Sequence, residues 1–218
     1  MSEDFFRTGE EEVELTFERI TSFGYEIRRA SALDFGCGVG RLTQAMATRF
    51  QIVDGVDIAP SMVRQARALN RHGLRCRYFL NNAHDLKAFT SNSYDFVLSL
   101  LVLQHMEPRY SSTFIGELVR VLAPGGMLVM NMPSQVSLSP LGLMTAAVPR
   151  TVVNAVVATR RGRHGVREVH RLRREAVREI VRRAGGTTCA EEADVAALGK
   201  RWKTYRYYVG KRRPSHEA

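Results

Sequence analysis

The chain has 218 residues, the length of one ordinary domain, and its 44% hydrophobic and 25% charged residues are typical of a globular protein. No run approaches the roughly 20 apolar residues that a membrane span needs, and the acidic start, residues 1–4, does not resemble a secretory signal. We therefore expect a cytoplasmic protein without a membrane span. Cys37, Cys76 and Cys189 form no CxxC pair, which argues against a zinc knuckle or a disulfide framework.

The net charge of +10 is concentrated in the last third of the chain. Residues 150–218 contain 18 Lys and Arg against 7 Asp and Glu, whereas residues 1–149 contain 14 against 15. Such a region can attract nucleic acid, anionic lipid or an acidic small molecule. A solvated basic helix face followed by a disordered tail explains the same pattern equally well.

Apolar periodicity predicts helices and strands that alternate along most of the chain. The predicted helices cover residues 10–29, 41–50, 60–71, 108–122 and 166–184, and the predicted strands cover 31–35, 51–57, 75–80, 94–100, 127–131, 187–192 and 205–209. The stripe of the last helix comprises Val166, Val169, Leu172, Ala176, Ile180 and Ala184. Five alternations of strand and helix predict an α/β fold, a mostly parallel sheet with helices on both faces.

We interpret residues 1–218 as a single domain with four parts. These are an N-terminal helical cap at 1–29, a ligand-binding core at 30–133, a lid at 134–165, and a C-terminal helix with the last two strands at 166–218. The segment 134–165 is long for a connection, and long connections without secondary structure are often functional.

A glycine-rich turn joins the first strand to the next helix. Gly36, Gly38 and Gly40 let the backbone turn sharply and approach a ligand closely, at the sheet edge where open α/β folds bind ligands. The dinucleotide pattern GxGxxG would require glycine at Arg41, so the pattern here is GxGxG instead. A plain turn is the alternative interpretation.

Two acidic residues accompany this turn. Asp34 precedes it and would suit a ligand with a cationic part, whereas it has no role beside a pyrophosphate. Asp57 follows Gly36 by 21 residues and ends the second strand, where a carboxylate can accept hydrogen bonds from both ribose hydroxyls. Asp57 could instead cap the helix that begins at Pro60. Together these residues point to an adenosyl ligand without phosphates.

The chain resembles the class I S-adenosylmethionine-dependent methyltransferases, especially the small-molecule group called type 11 or type 12. The similar segments are Asp34-Phe35-Gly36-Cys37-Gly38-Val39-Gly40, Gly55-Val56-Asp57-Ile58-Ala59-Pro60-Ser61-Met62, Tyr94-Asp95-Phe96-Val97-Leu98-Ser99 and Arg120-Val121-Leu122-Ala123-Pro124-Gly125-Gly126. The resemblance implies a Rossmann-like, seven-stranded, mostly parallel sheet whose last strand is antiparallel and lies at the sheet edge. It also implies S-adenosyl-L-methionine as cofactor.

The resemblance further implies which residues contact the cofactor. They are Asp34, Gly36, Cys37, Gly38, Gly40, Asp57, Ile58, Met62, Asn82, Ala83, Ser99 and Leu100. Asp57 would bind the ribose and Ile58 would pack on the adenine. Asn82 stands where the family commonly has an acid, but it keeps a hydrogen-bond acceptor. Phe5, Phe6 and Arg7 are a further segment that the resemblance places over the cofactor.

The implied reaction is an in-line transfer of a sulfonium methyl group, which depends largely on alignment and water exclusion. An oxygen acceptor usually needs a base, whereas an amine needs only its neutral form. His105 follows the fourth strand and is the candidate base, since histidine can accept a proton at neutral pH. A structural histidine bonded to a loop carbonyl is the alternative.

Residues 99–102 read Ser-Leu-Leu-Val, unlike the Asn/Asp-Pro-Pro-Tyr/Phe sequence of enzymes that methylate amino groups of nucleic acids, and no Pro-Cys pair suits a cytosine nucleophile. These absences favour methylation of an O or N atom of a small molecule. The apolar lid residues Leu138, Leu141, Leu143, Met144 and Val148, with Arg150, Arg160, Arg161 and Arg163, suggest an acceptor with an apolar body and an acidic group.

Three alternatives remain open. The first is an RNA-modifying methyltransferase, supported by the Arg-rich helix 167–183 and by Trp202, Tyr205, Tyr207 and Tyr208. A protein that binds the cofactor without catalysis and a nicotinamide-dependent oxidoreductase rank behind it. No His/Asp/Glu cluster has metal-ligand spacing, so we expect no metal. The sequence does not set the oligomeric state.

Overall fold

The computed structural model describes residues 3–136, 168–194 and 202–212. Its helices are α1 (Glu3–Ser22), α2 (Arg41–Met46), α3 (Pro60–Ala68), α4 (Pro108–Val121) and α5 (Arg174–Arg183), with 3-10 turns at Gly73–Arg75 and Leu103–His105. Its strands are β1 (Ser31–Phe35), β2 (Ile52–Asp57), β3 (Cys76–Leu80), β4 (Tyr94–Ser99), β5 (Leu122–Val136), β6 (Gly186–Ala193) and β7 (Trp202–Lys211). Most predicted elements differ from these only by a few residues at their ends.

The seven strands form one sheet in the order β3-β2-β1-β4-β5-β7-β6. The first five pair in parallel, and β7 runs antiparallel to both β5 and β6. The predicted Rossmann-like, mostly parallel sheet with an antiparallel last strand is therefore confirmed.

The expected position of the last strand at the sheet edge was wrong, because β6 occupies that edge and β7 lies inside. Tyr207 pairs with Met130 on one side and with Glu191 on the other. Tyr207, Tyr208 and Val209 are all buried, so apolar side chains cover both faces of β7. A strand buried on both faces suits the interior of a sheet better than an exposed edge.

Two apolar clusters cover the two faces of the sheet. Because side chains alternate along a strand, Leu33 and Val97 belong to the cluster that packs against α4 and α5. Their neighbours Ala32 and Phe96 belong to the cluster that packs against α1, α2 and α3. This arrangement confirms helices on both faces of the sheet.

Helix α1 covers Glu3–Ser22, so the predicted range of 10–29 begins and ends too late. Gly24 ends it with φ of +77°, and its N–H donates to the Thr21 carbonyl while the Tyr25 N–H donates to the Ile20 carbonyl. This pair of bonds is a Schellman motif, which needs glycine at the left-handed position. Gly24 was the signal for the earlier end of the helix.

The predicted helix 166–184 is shorter in the structure. Residues 168–173, which we call the strap, have no regular secondary structure, and α5 begins only at Arg174. The strap donates backbone hydrogen bonds to other segments, from His170 to the Gln104 carbonyl and from Leu172 to the Pro133 carbonyl. The fully buried side chains of α5 are Val177 and Val181, which the predicted stripe did not include. Of that stripe, Leu172, Ile180 and Ala184 are partly buried against the core, whereas Ala176 is exposed.

The predicted lid, residues 134–165, lies almost entirely outside the described residues. Its first three residues, 134–136, continue β5, which contradicts the expectation of an irregular segment there. Pairing with β7 explains this extension, since Val136 is still opposite Trp202. Within the part of the chain that the structure describes, no helix is long and apolar enough to cross a membrane.

Candidate active site

The glycine turn lies at the carboxyl end of β1 and leads into α2. The Gly36 and Cys37 N–H groups donate to the Val56 carbonyl over 2.8 and 3.0 Å, which ties the turn to β2. Gly36, Gly38 and Gly40 have φ of +79°, +54° and +86°. Side chains rarely adopt this left-handed conformation, so glycine is favoured at each position.

The three glycines differ in their surroundings. A Cβ on Gly36 would lie 2.3 Å from a methyl group of Val102, and one on Gly40 would lie 2.5 Å from the Tyr78 hydroxyl. A Cβ on Gly38 would meet no heavy atom within 4 Å. Packing within the protein thus requires Gly36 and Gly40, whereas Gly38 borders open space.

Asp57 ends β2 beside the glycine turn. Its Oδ2 accepts a hydrogen bond from the Gly38 N–H, and its Oδ1 accepts one from the Ala59 N–H, both over 2.8 Å. The cap residue of α3 is Ala59, so Asp57 is not the helix cap of the alternative interpretation. Each carboxylate oxygen has a further lone pair that a ligand hydroxyl can use.

Asp34 is buried behind the glycine turn and is 2% exposed. Its Oδ2 accepts a 2.6 Å hydrogen bond from the Thr43 hydroxyl in α2. Burial raises the pKa of Asp34 to about 6, although the bond from Thr43 and the charge of Arg41 act in the opposite direction. The sequence analysis missed Thr43 as a partner for this carboxylate.

A cleft of about 480 Å³ opens beside the turn at the carboxyl ends of the strands. Its lining residues are Phe35, Gly36, Val56, Asp57, Ile58, Asn81, Ala83, His84, Val102, His105, Met106, Glu107, Tyr110, Phe114, Glu168 and His170. The structure therefore brings five predicted site residues to one cleft: Gly36, Asp57, Ile58, Ala83 and His105.

The other predicted cofactor residues do not line this cleft: Asp34, Cys37, Gly38, Gly40, Met62, Asn82, Ser99 and Leu100. Asn82 is exposed, and its neighbour Asn81 reaches the cleft instead. The Asn81 side chain accepts a 3.3 Å bond from the Ala83 N–H and donates to the Asp85 carbonyl. Asn81 thus shapes the loop after β3, a role that the sequence did not reveal.

Ser99, Cys37 and the N-terminal segment have other surroundings. Ser99 is fully buried, and its hydroxyl has no hydrogen-bond partner within the described residues. Burial raises the pKa of the Cys37 thiol far above its usual range, so this thiol is inert. Phe6 is buried under the Arg71 guanidinium, and Phe5 contacts Arg41, so neither aromatic ring lines the cleft.

His105 lies in the 3-10 turn after β4 and lines the same cleft as Ile58. Its Nδ1 lies 3.2 Å from the Glu168 carbonyl oxygen of the strap. Because a carbonyl only accepts, Nδ1 carries the proton and donates, which leaves the Nε2 lone pair free in the neutral ring. This bond to a loop carbonyl is the contact that the alternative of a structural histidine predicts, and it also leaves the tautomer that a base requires.

The sequence analysis missed several polar residues in the cleft. His84 stacks on Tyr110 with ring centroids 4.7 Å apart. The strap adds Glu168 and His170, whose Nε2 lies 3.6 Å from the Glu168 carboxylate. The strap was missed because residues 166–184 show the periodicity of a helix. Tyr110 lies in the first turn of α4, on the carboxyl side of β4, and that position could have indicated it as a site residue.

Five of the ten described Lys and Arg residues after 167 pair with acidic residues. Arg174 and Arg178 both pair with Glu191, and Arg182 and Arg183 both pair with Glu179. Arg206 pairs with Glu12 and Asp194, and Lys211 donates to the Val119 and Arg120 carbonyls. Across residues 3–136, 168–194 and 202–212, no three His, Cys, Asp or Glu side chains are grouped to hold a metal ion.

Comparisons with known proteins agree with this geometry. Residues 33–130 match the family model described as a methyltransferase domain. The Ubiquinone biosynthesis O-methyltransferase of Nitrosococcus oceani is 30% identical over 181 residues, which are 82% of this chain and 71% of that protein. The enzyme of the same name from Xanthomonas oryzae pv. oryzae (strain PXO99A) is 33% identical over 146 residues, 64% of this chain. This chain spans about half of the length of that relative and of several others from Xanthomonas, between 49% and 56%.

A solved structure gives the same fold. The magnesium protoporphyrin IX methyltransferase of Synechocystis PCC 6803 with bound SAH has a TM-score of 0.63 and 21% identity, over 95% of this chain and 86% of that one. The sheet order and the helices on both faces are those of the Rossmann-like α/β fold of class I methyltransferases. The chain belongs to the class I S-adenosylmethionine-dependent methyltransferases, the family whose cofactor is S-adenosyl-L-methionine.

Proposed function

We propose that the protein transfers the methyl group of S-adenosylmethionine to an oxygen atom of a small phenolic molecule with an apolar body. One observation carries the proposal. A single cleft joins Asp57 and the glycine turn to His105, whose Nε2 is free to accept a proton. The names of the relatives from Nitrosococcus and Xanthomonas, both O-methyltransferases, support an oxygen acceptor.

The residues beside the glycine turn fit the cofactor. Asp57 has lone pairs for two ribose hydroxyls, and open space borders Gly38. Ile58 is apolar yet 67% exposed at the cleft, as expected for a side chain that an adenine ring would cover. When bound, the cofactor supplies a methyl group that its sulfonium charge has already activated.

His105 is the proposed base. The acceptor hydroxyl would donate its proton to Nε2, while Nδ1 continues to donate to the Glu168 carbonyl. A phenol ionises more readily than an alkyl alcohol, so a neutral histidine side chain can serve as the base that removes its proton. The strap holds the ring through the Glu168 carbonyl.

The lining also indicates the acceptor class. Phe35, Val56, Val102, Met106 and Phe114 form an apolar wall. Neither Lys nor Arg lines the cleft within the described residues, so no observation supports the acidic group of our earlier expectation. The arginines that suggested it, between residues 150 and 163, lie outside the described part of the chain. The ion pairs of α5 likewise give no specific support to RNA as acceptor.

Calorimetric titration with S-adenosylhomocysteine tests the cofactor site. We expect micromolar binding by the native chain and at least a tenfold loss in Asp57→Ala, because two ribose hydrogen bonds would disappear. Asp4→Ala, an exposed acid in α1, controls for the change in charge and should bind normally. If Asp57→Ala bound as tightly as the native chain, the proposed site would be wrong.

His105→Asn tests the base in the presence of alkyl-substituted phenols. The Asn amide can still donate to the Glu168 carbonyl, as Nδ1 does, but it cannot accept a proton. We expect turnover about 100-fold below native with unchanged binding of S-adenosylhomocysteine. Formation of S-adenosylhomocysteine, followed by chromatography, is the readout. Near-native turnover would show that His105 is a structural histidine.

A further inference from the structure

Leu101 has an unfavourable backbone conformation beside the cleft. Its φ is +62°, in the left-handed region that residues with a side chain rarely adopt. It lies two residues after the end of β4, and its side chain is 43% exposed, so packing of the side chain does not explain the conformation. Its N–H donates a 2.8 Å hydrogen bond to Oδ1 of Asn131 in β5.

Asn131 has a fixed amide orientation. It is 1% exposed, and its Nδ2 donates to Oδ2 of Asp194 over 3.2 Å. Arg206 pairs with the same carboxylate and also with Glu12 of α1. A flipped amide would place Oδ1 against a carboxylate, which offers no proton, and would place an N–H group against the Leu101 N–H. The network therefore directs Oδ1 towards Leu101.

The residues that follow Leu101 belong to the cleft. Val102 is in such close contact with Gly36 that a Cβ there would lie 2.3 Å from it. The 3-10 turn that begins at Leu103 carries His105. Any change in the Leu101 backbone would therefore move both the side chain against the glycine turn and the proposed base.

We propose that Asn131 is a positioning residue, which holds Leu101 in the left-handed conformation and thereby places His105 and Val102. This inference rests on the proposed function, since His105 acts on the acceptor. Asn131 itself does not line the cleft, so its effect is indirect. The hydrogen-bonded chain from Glu12 through Arg206 and Asp194 to Asn131 makes α1 part of the same support.

The test combines loss and rescue. In Asn131→Ala we expect kcat to fall by about 10- to 100-fold, since small misplacements of reacting groups have effects of this size. The Kd for S-adenosylhomocysteine should change by a smaller factor than kcat, because Asp57 is untouched and only the contact of Val102 with the glycine turn is disturbed. Adding Leu101→Asn should restore at least a third of the native kcat, because Asn adopts the left-handed conformation readily. Leu101→Asn alone should have near-native activity.

A purely structural role would give a different pattern. Full kcat in Asn131→Ala, or a loss that Leu101→Asn does not restore, would overturn the proposal. Should Asn131→Ala fail to fold, Asn131→Ser replaces it with the same expected results, since the shorter hydroxyl does not reproduce the amide contact with both partners. Failure of Asn131→Ser to lower kcat would also overturn it.

Amide hydrogen exchange separates this proposal from the proposed function. Exchange at residues 101–105 does not depend on any acceptor, and we expect it to accelerate at least tenfold in Asn131→Ala and to slow again on adding Leu101→Asn. Unchanged exchange would overturn the positioning role. The native chain could show the expected exchange pattern and yet methylate no phenol. In that case Asn131 would still support the turn, and phenols would be rejected as acceptors.

Discussion

The glycines of the turn belong to one sequence pattern but have different roles in the structure. Gly40 is enclosed by Tyr78, which is itself buried, whereas Gly38 faces open space next to Asp57. The pattern GxGxG predicted the turn and its place at the sheet edge. It did not reveal which glycine leaves room for the ligand, because that depends on side chains from β3 and from the turn after β4.

Alanine substitutions should separate these roles. Gly38→Ala places a side chain in the left-handed region and should lower the free energy of unfolding by about 1–2 kcal/mol. Gly40→Ala adds a clash with the Tyr78 hydroxyl and should cost at least about 1 kcal/mol more. Binding of S-adenosylhomocysteine should weaken at least tenfold in Gly38→Ala. Urea unfolding and calorimetry measure the two effects, and equal stabilities would contradict this interpretation.

Asp34 should make stability depend on pH in an unusual direction. Its folded-state pKa of about 6 lies above the ordinary value of 3.8. Between these values the folded protein keeps a proton that the unfolded chain has lost. Raising the pH through this window therefore lowers stability, by up to about 3 kcal/mol at pH 7.

Asp34→Asn removes this titration but leaves an oxygen that can accept the Thr43 hydrogen bond. We expect the variant to be more stable than the native chain at pH 7, with a smaller advantage at pH 4.5. Urea unfolding at both values is the measurement. The same advantage at both pH values would show that Asp34 does not titrate between them.

The C-terminal part of the chain shows that apolar periodicity alone does not predict where a helix begins. A helix was predicted over 166–184, but residues 168–173 form the strap, because the 3-10 turn and β5 accept their backbone hydrogen bonds. Those partners are distant in sequence, so the local pattern of apolar residues in 166–184 cannot predict these hydrogen bonds. The strap in turn brings Glu168 and His170 into the cleft.

Glu191 of β6 fixes α5 to the sheet. Burial raises its pKa, but hydrogen bonds from Arg178 and Arg174 outweigh this effect and hold the pKa below its ordinary value. Glu191→Ala should lower the free energy of unfolding by about 1–3 kcal/mol, because both guanidinium groups lose their partner. This contribution should decrease as the pH falls through the lowered pKa of Glu191.

Glu179→Ala is the matched control on the same helix. It removes two ion pairs with Arg182 and Arg183, but these are exposed, and such pairs contribute about 0–1 kcal/mol. Urea unfolding of both variants is the measurement. A Glu179 effect as large as that of Glu191 would show that burial does not explain the difference.

At the scale of the whole molecule, a net charge of +10 does not by itself make a nucleic-acid surface. Arg174, Arg178, Arg182, Arg183 and Arg206 are paired with carboxylates in the described part of the chain. These ion pairs neutralise positive charge that would otherwise attract the phosphate groups of a nucleic acid. The remaining basis for an RNA-modifying enzyme consists of the basic residues outside the described ranges and of Arg171, Arg173, Lys203 and Arg212, which are described but form none of these ion pairs.

A gel shift with bulk tRNA at about 50 and 200 mM salt tests this alternative. Phosphate contacts make the logarithm of affinity fall with the logarithm of salt by about 0.7 for each single-stranded phosphate neutralised. We expect no complex at the higher salt and no methyl transfer to tRNA. A complex that survives, together with methylated tRNA, would favour the RNA-modifying alternative over a small-molecule acceptor.

The sequence by itself determined the order of strands and helices, the glycine turn and the family. It could do so because these features depend on local patterns: alternating apolar residues, left-handed glycines and an acid at a strand end. Asp57 and His105 were predicted from their positions at the ends of strands, and Ile58 and Ala83 from the family resemblance. All four line one cleft.

Only the tertiary structure decided the interior place of β7, the strap, the roles of Asn81 and Thr43, and the support of Leu101 by Asn131. Each depends on contacts between segments far apart in sequence. A local pattern reports how a segment can fold, whereas a buried hydrogen bond to a distant strand determines which of its conformations is the stable one.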